Sequence, residues 1–458
     1  MDSIITAPPL HRIQWGIVVR DPASRAGLYG VNAERHFIPA SNTKLVVAVA
    51  ALGMLGPDFR FETPLYLSAA PGDTVATRVV LVGSGDPTLS ARFHGSEFAP
   101  LDSLAAALSD EGIRAIDELV IDASRFDPIS VNGSWEVGDL PFTYAPPVGA
   151  FAVAEGTFGI ERAPGPVPGS PAWIAVVGGA DLQPVASTVS TDTVGGRTSL
   201  NVDYLARRDT IFITGSVALG TRPDTTRFAV TDPVGYAGRA LAAALRARGT
   251  SVSSLRIVSD TIEARSLRDT THSRLVARLV SPPLDSIVAA ILQPSQNWIA
   301  EQVLLTLGAH QRGQGGWTSG IAAERRYLID VVGLDSLAFS LRDASGLSAQ
   351  NLLTPDATVR LLEHANASPW GRQFRSALAA PRLRGSTLSN RLEPLEGRLV
   401  AKTGTIANVN SLSGFVKTGS GRELAFAIFT NGSGLPSATV RHAIDAIVLA
   451  IAQLGDPR

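Results

Sequence analysis

The chain has 458 residues, 45% of them hydrophobic and 18% charged, and a formal charge of −1. That length calls for two or three domains, and that balance gives neither nucleic acid nor an anionic membrane surface an electrostatic claim on it. No run of about 20 apolar residues is present, which excludes a membrane-spanning helix. The absence of cysteine excludes disulfides, thiol catalysis and cysteine-based metal sites. Only three of the 40 basic residues are lysines: Lys44, Lys402 and Lys417. The first residues, Met1 to Ala7, have neither a basic n-region nor an apolar h-region, so the protein is expected to be either cytoplasmic or a mature form with its signal removed.

Taken in order, residues 13–37 read as a hairpin: a strand from Ile13 to Val19, a turn at Asp21-Pro22 and a strand from Gly27 to Asn32. The hairpin delivers the chain to Pro39-Ala-Ser-Asn-Thr-Lys44, which opens the apolar run Leu45 to Gly53, long enough for a buried helix of about three turns. Ser41 lies near the start of that helix and Lys44 three residues on, so both project from one face. A serine hydroxyl needs an adjacent base to attack a carbonyl, and a lysine amine becomes one when burial or a neighbouring cation lowers its pKa. The helix N-terminus would help to stabilise an oxyanion. An ordinary helix start with a solvent-facing lysine shows the same short pattern, so Ser-x-x-Lys needs partners elsewhere in the chain.

Beyond it, strands are expected at 59–67 and 79–82, the second running into the turn Gly83-Ser-Gly-Asp-Pro-Thr88. A helix follows at 101–108 and a strand at 118–122. Residues 127–150 are loop-like, rich in proline and glycine, and carry Trp135 and Tyr144; 164–171 is a surface loop. Strands continue to about residue 262, interrupted by an alanine-rich helix from Tyr236 to Arg248. From about Asp269 the texture turns helical, at 284–293, 297–308, 319–332 and 355–365. Strands at 398–402, 411–417 and 423–431 precede a closing helix over 436–454. The layout is one α/β (α+β) domain split between the two ends of the chain, with a strand-rich insertion between them.

Two clusters in the split domain complement Ser41 and Lys44. Ser295-Gln-Asn297 opens the run Trp298 to Leu305; its hydroxyl would relay protons and its amide would hold a substrate carbonyl. A serine capping the helix accounts for the same residue, and Ser130-Val-Asn132 and Ser199-Leu-Asn201 share the pattern inside the insertion. Lys402-Thr-Gly-Thr405 lies on a strand: lysine supplies positive charge, Thr403 and Thr405 bind a carboxylate, and Gly404 lets a substrate backbone approach. Lys417-Thr-Gly419 repeats the tripeptide but runs into a turn, and reads as a solvent-facing hairpin tip.

In this order, with two of three lysines inside motifs, Ser-x-x-Lys, Ser-x-Asn and Lys-Thr-Gly resemble the signature of penicillin-binding proteins and serine β-lactamases. Gly83 to Leu89, Asp343-Ala-Ser-Gly-Leu-Ser348 with Asn351 to Pro355, and Lys402 to Thr405 followed by Ser411-Leu-Ser-Gly-Phe415 narrow the resemblance. The chain is similar over almost its whole length to the class C low-molecular-mass penicillin-binding proteins, D-alanyl-D-alanine carboxypeptidases and endopeptidases. The resemblance implies a transpeptidase-like catalytic domain over 1–65 and 263–458. It also implies an inserted domain over 66–92 and 175–262, and a third domain nested at 93–174.

The same resemblance implies that Ser41 attacks the carbonyl between two D-alanines to form an acyl-enzyme, with Lys44 as base, Ser295 passing the proton to the leaving amine and Lys402 setting the electrostatics. Backbone N–H groups of Ser41 and Thr405 would form the oxyanion hole, Asn297 would bind the substrate amide, and Thr403, Gly404 and Thr405 would receive the terminal carboxylate. Trp135 and Tyr144 match aromatic positions that line the pocket in relatives, although core packing explains them equally well. The implied partners are peptidoglycan stem peptides ending in D-Ala-D-Ala and β-lactams as covalent inhibitors, with no cofactor and no metal. The implied location is periplasmic or otherwise extracytoplasmic. Ala349 stands where the family often has an arginine, and Gln296 where it has aspartate or asparagine. A β-lactamase or esterase shares the motifs, but no Glu-x-x-Leu-Asn or Tyr-x-Asn is present to activate a deacylating water. A non-catalytic penicillin sensor is the remaining alternative.

Overall fold

Alternation along one strand explains the principal sheet. In Glu423–Asn431, Leu424, Phe426 and Ile428 face one core, while Ala425, Ala427 and Phe429 face the other side. The computed structural model describes residues 1–179, 181–204, 210–267 and 273–454. The chain forms two compact units, the first comprising residues 1–60, 132–135 and 283–458 and the second residues 61–131 and 136–282.

The first unit holds β1 (Gln14–Arg20), β2 (Gly27–Val31), β3 (Leu399–Ile406), β4 (Val409–Lys417) and β5 (Glu423–Asn431) in an antiparallel sheet of order β3-β4-β5-β1-β2. Its longer helices are α1 (Lys44–Leu55), α2 (Leu284–Leu292), α3 (Asn297–Arg312), α4 (Trp317–Asp330), α5 (Pro355–Ala367), α6 (Gly371–Ala377) and α7 (Ser437–Ile451). One sheet face packs against α7, through Val440, Ile444, Ile447, Val448 and Ile451. On the other face α5 lies against β1 and β5, and Phe37 meets Phe429 with ring centroids 6.2 Å apart. Helix α1 contacts α2, α3 and α4 and is buried from Lys44 through Leu52. A helix apolar all round has no exposed face to offer, and α1 is the central helix of this layer. The sequence expectation of a buried helix there, and of the flanking hairpin, matches within a residue or two.

The second unit carries a five-stranded sheet in which Ser251–Val258, Ala115–Asp122 and Val75–Val82 run parallel, followed by Glu62–Ser68 and Arg274–Val280 in antiparallel pairing. A three-stranded sheet (Asp224–Ala229, Thr157–Ala163, Trp173–Val176) and a four-stranded one (including Ser199–Tyr204 and Ile211–Ala218) complete it. A single apolar core runs through all three, from Leu65 and Leu119 to Ile160, Ile213 and Leu245. Within Gly83–Thr88 the Asp86 carboxylate accepts from Thr88 N and Oγ1 at 2.8 and 2.7 Å, so this motif is a turn in the second unit's fold.

The sheets do not divide the insertion as expected. Ala115–Asp122, expected inside a nested domain at 93–174, lies between Val75–Val82 and Ser251–Val258 of the supposed other domain. The boundary expected at 263 moves to 283, because Arg274–Val280 is a strand paired with Glu62–Ser68. Its alternation is blurred by Arg274 and Arg278, whose ion pairs with Glu111 and Glu62 are surface features. Residues 132–135, read as insertion loop, belong to the first unit.

Phe426, on β5, is fully buried in the core that the sheet shares with α7. Phe426→Ala leaves a cavity and is expected to cost about 3–5 kcal/mol of stability, read as a lower denaturation midpoint.

Candidate active site

The chain enters the site through a tight turn. Ala40–Thr43 forms a 3-10 turn before α1, with Ala40 in the left-handed region at φ 49°. Thr43 Oγ1 donates to Ala40 O at 2.9 Å, and Asn42 Nδ2 donates to Ser411 Oγ at 2.5 Å; Ser411 in turn donates to Pro39 O at 2.7 Å. The turn is thereby tied to β4. Two glycines let neighbouring backbone approach it. A Cβ on Gly404 would lie 2.8 Å from Pro39 O and 3.0 Å from Ser41 N, and one on Gly346, at φ 77°, would collide with the Ala40 carbonyl.

Lys44 is completely buried, and its Nζ lies 2.9 Å from Ser41 Oγ, 2.6 Å from Asn297 Oδ1 and 2.5 Å from the Ser345 carbonyl oxygen. Burial lowers its pKa to about 7, against the opposing pull of Asp343 and Glu301. Once neutral, the amine has two hydrogens and one lone pair. Asn297 and Ser345 accept the two hydrogens, which leaves the lone pair aimed at the Ser41 hydroxyl.

Beside this pair, Lys402 Nζ donates to Ser295 Oγ and to Thr403 O, both at 2.7 Å. Strand alternation sends Leu399 and Ala401 into the α7 core and Lys402 to the opposite face. Burial and the charge of Lys44 push the Lys402 pKa well below its ordinary value. Ser295 sits at φ 66°, and Gln296, not Ser295, caps α3 by accepting from Ile299 N at 3.3 Å. The Ser295 hydroxyl is therefore directed to Lys402 instead of to a helix end. Thr403 Oγ1 donates to Thr387 Oγ1 at 2.8 Å, and exposed Thr405 donates to Gly404 O.

A wall of buried acids lies behind Lys44. Glu301 accepts from Ser345 N at 2.8 Å, Ala344 N at 3.2 Å and Trp317 Nε1 at 2.9 Å. Asp343 accepts from Trp135 Nε1 at 2.9 Å, Gly346 N at 2.9 Å, Ser348 N at 2.7 Å and Asn351 Nδ2 at 2.6 Å. The Trp135 and Trp317 rings meet edge to face at 6.1 Å.

The structure brings Ser41, Lys44, Ser295, Asn297, Lys402, Thr403, Gly404 and Thr405 into one cluster. Trp135 stands behind it, 8% exposed, with its indole held by Asp343. Asn132, noted only as part of a second Ser-x-Asn match, anchors that loop by donating to Arg342 O at 2.8 Å. Tyr144 belongs to the second unit, is 43% exposed, donates to Asp139 Oδ1 and stacks on Phe142. Sequence reasoning missed Glu301, Ser345, Thr387 and Ser411 as partners. Ser345 and Ser411 lie in the stretches Asp343–Ser348 and Ser411–Phe415 that carried the resemblance, and Glu301 left a signal of its own, four residues beyond Asn297 on the same face of α3. Among the described residues no cluster of histidine and acidic side chains is suited to a metal ion, and no helix is long and apolar enough to cross a membrane.

Residues 1–454 match the D-Ala-D-Ala carboxypeptidase 3 (S13) family. The chain belongs to this family. It is similar to the D-alanyl-D-alanine carboxypeptidase of Actinomadura sp. strain R39, 32% identical over 99% of this chain and 84% of the relative. It is also similar to the D-alanyl-D-alanine carboxypeptidase DacB of Haemophilus influenzae, 24% identical over 88% and 82%. The solved penicillin binding protein 4 of Haemophilus influenzae superposes with a TM-score of 0.84 over 99% of both chains at 22% identity, which establishes the shared fold. Family membership makes the chain a serine-type peptidase, in agreement with the three motifs.

Gly346→Ala forces a side chain against the Ala40 carbonyl and displaces the Ser41 turn. Acylation by a fluorescent penicillin is expected to fall by about 100-fold or more, with thermal melting recording the accompanying strain.

Proposed function

We propose that this S13 protein is a D-alanyl-D-alanine carboxypeptidase/endopeptidase that cleaves peptidoglycan stem peptides through an acyl-enzyme on Ser41 and is acylated by β-lactams. The observation that carries this reading is the Lys44 amine, buried and turned toward Ser41 by two fixed acceptors.

Lys44 takes the Ser41 proton as Oγ bonds to the carbonyl carbon between the two D-alanines. Positive charge at the helix start and the N–H groups of Ser41 and Thr405 meet the developing oxyanion. The C–N bond then breaks, and the proton passes through Ser295, whose hydroxyl accepts from Lys402 and so keeps its own hydrogen for the leaving amine. Water hydrolyses the ester and regenerates Ser41. Asn297 presents its amide to the substrate, while exposed Thr405 and the Thr403–Thr387 hydroxyl pair receive the terminal carboxylate beside Lys402. Trp135, 8% exposed, completes the set of substrate-contacting residues proposed within the first unit. Stem peptides lie outside the cytoplasmic membrane, and the protein works there.

Intact mass after incubation with benzylpenicillin tests the reading. A long-lived adduct of one penicillin that Ser41→Ala lacks, together with D-alanine release from an acyl-D-Ala-D-Ala peptide, is the expected result. Rapid drug hydrolysis without an adduct would make the protein a β-lactamase; stable acylation without peptide turnover would make it a sensor. Acylation is also expected to slow as pH falls through about 7, because Lys44 is neutral above that value and protonated below it.

A further inference from the structure

We infer that Glu301 is a positioning residue for the base: its buried carboxylate holds the Ala344–Ser345 backbone so that the Ser345 carbonyl orients the Lys44 amine toward Ser41, and its charge sets the amine's proton affinity. The inference rests on the reading of Lys44 as the base for Ser41.

The geometry is a double grip by one helix. Asn297, in the first turn of α3, accepts directly from Lys44 at 2.6 Å. Glu301, one turn later, takes the N–H groups of Ala344 and Ser345, and Ser345 presents its carbonyl to Lys44 at 2.5 Å. Without that anchor the carbonyl is free to turn, and the lone pair of the neutral amine loses one of the two acceptors that orient it. Trp317 closes the far side of Glu301 by donating its indole N–H at 2.9 Å.

Three further charged or titratable groups lie about Lys44 and Glu301: Asp343 from the loop, Glu324 from α4 and Lys402 from β3. Glu324 is fully buried, and neither of its carboxyl oxygens has a hydrogen-bond partner among the described residues. Burial, with Glu301 and Asp343 close by, pushes its pKa well above the ordinary value, so it stays protonated and contributes no charge at neutral pH. Glu301 differs. Three N–H donors converge on it and favour the ionised form, and against them burial and Asp343 hold its pKa at about 7, so it carries its charge from about neutral pH upward. Its charge therefore raises the proton affinity of Lys44 against desolvation. Glu301→Gln keeps an acceptor for the Ser345 N–H, removes the charge and turns an amide donor toward Trp317.

With only three lysines in the chain, lysine isotope-labelled at Cε gives an NMR titration of each, and Lys417→Arg removes the exposed one from the spectrum. In Glu301→Gln the Lys44 midpoint is expected to fall by about one pH unit, and the acid limb of benzylpenicillin acylation to move down with it. A midpoint within about 0.3 units of wild type, whatever the rate, overturns the inference. If Glu301→Gln does not fold, Glu301→Asp decides. It keeps the charge on a shorter side chain, so the inference requires an unmoved Lys44 midpoint with slower acylation. Unchanged acylation, or a midpoint that falls, overturns it. Glu324→Gln, which removes no charge, is expected to leave the Lys44 midpoint in place; a shift of about one unit overturns the assignment of the charge to Glu301. Failure of the underlying reading is separate: it appears as no Ser41 adduct in the wild-type protein, while the Lys44 titration still reports on Glu301.

Discussion

Taking an ammonium out of water is costly, and Lys44 is completely buried. The structure accommodates it with three oxygen partners and with acids placed behind them, without a direct ion pair to either acid. A carboxylate in direct contact would hold the proton on the amine and leave no base at neutral pH. Backbone and amide acceptors satisfy the amine's hydrogens equally well in either charge state. Moving the acids one layer back, with Ser345 as intermediary, gives an amine that loses its proton near neutrality while its hydrogens stay directed.

That arrangement constrains the layers around it. An all-apolar α1 excludes water from the lysine, and it must pack on every side, which requires α2, α3 and α4 around it. The Ser41 turn must then approach β3 and β4 closely. Gly404 and Gly346 provide the clearance, and Asn42 with Ser411 ties the turn to the sheet. Lys402 belongs to the same buried system. Burial and the neighbouring Lys44 lower the proton affinity of Lys402, and Ser295 accepts a hydrogen bond from its amine.

The acids have different duties because their hydrogen-bond surroundings differ. Asp343 gathers donors from its own loop and from Trp135, and so shapes the turn that contains Ser345 and Gly346. Glu301 links that turn to α3. Glu324 has no donor to offset its burial and remains a neutral, buried acid. The edge-to-face contact of Trp135 and Trp317 joins the two donors that hold Asp343 and Glu301.

Much of this was legible in the sequence. The rarity of lysine singled out Lys44 and Lys402, and the apolar run after Lys44 announced its burial, because a helix with no polar face must lie inside. The residues in the three motifs, the split catalytic unit and most element positions followed from pattern and resemblance. What the sequence did not carry was pairing across long separations. Arg274–Val280 pairs with a strand about 200 residues earlier, and its surface arginines hide the alternation. Ala115–Asp122 joins strands on either side of it in the chain to make one core where two domains were expected. The hydrogen bonds from the Glu301 carboxylate through a backbone amide to Lys44 were equally hidden. A backbone N–H and C=O are present in every residue, so only tertiary structure decides which of them meets the amine.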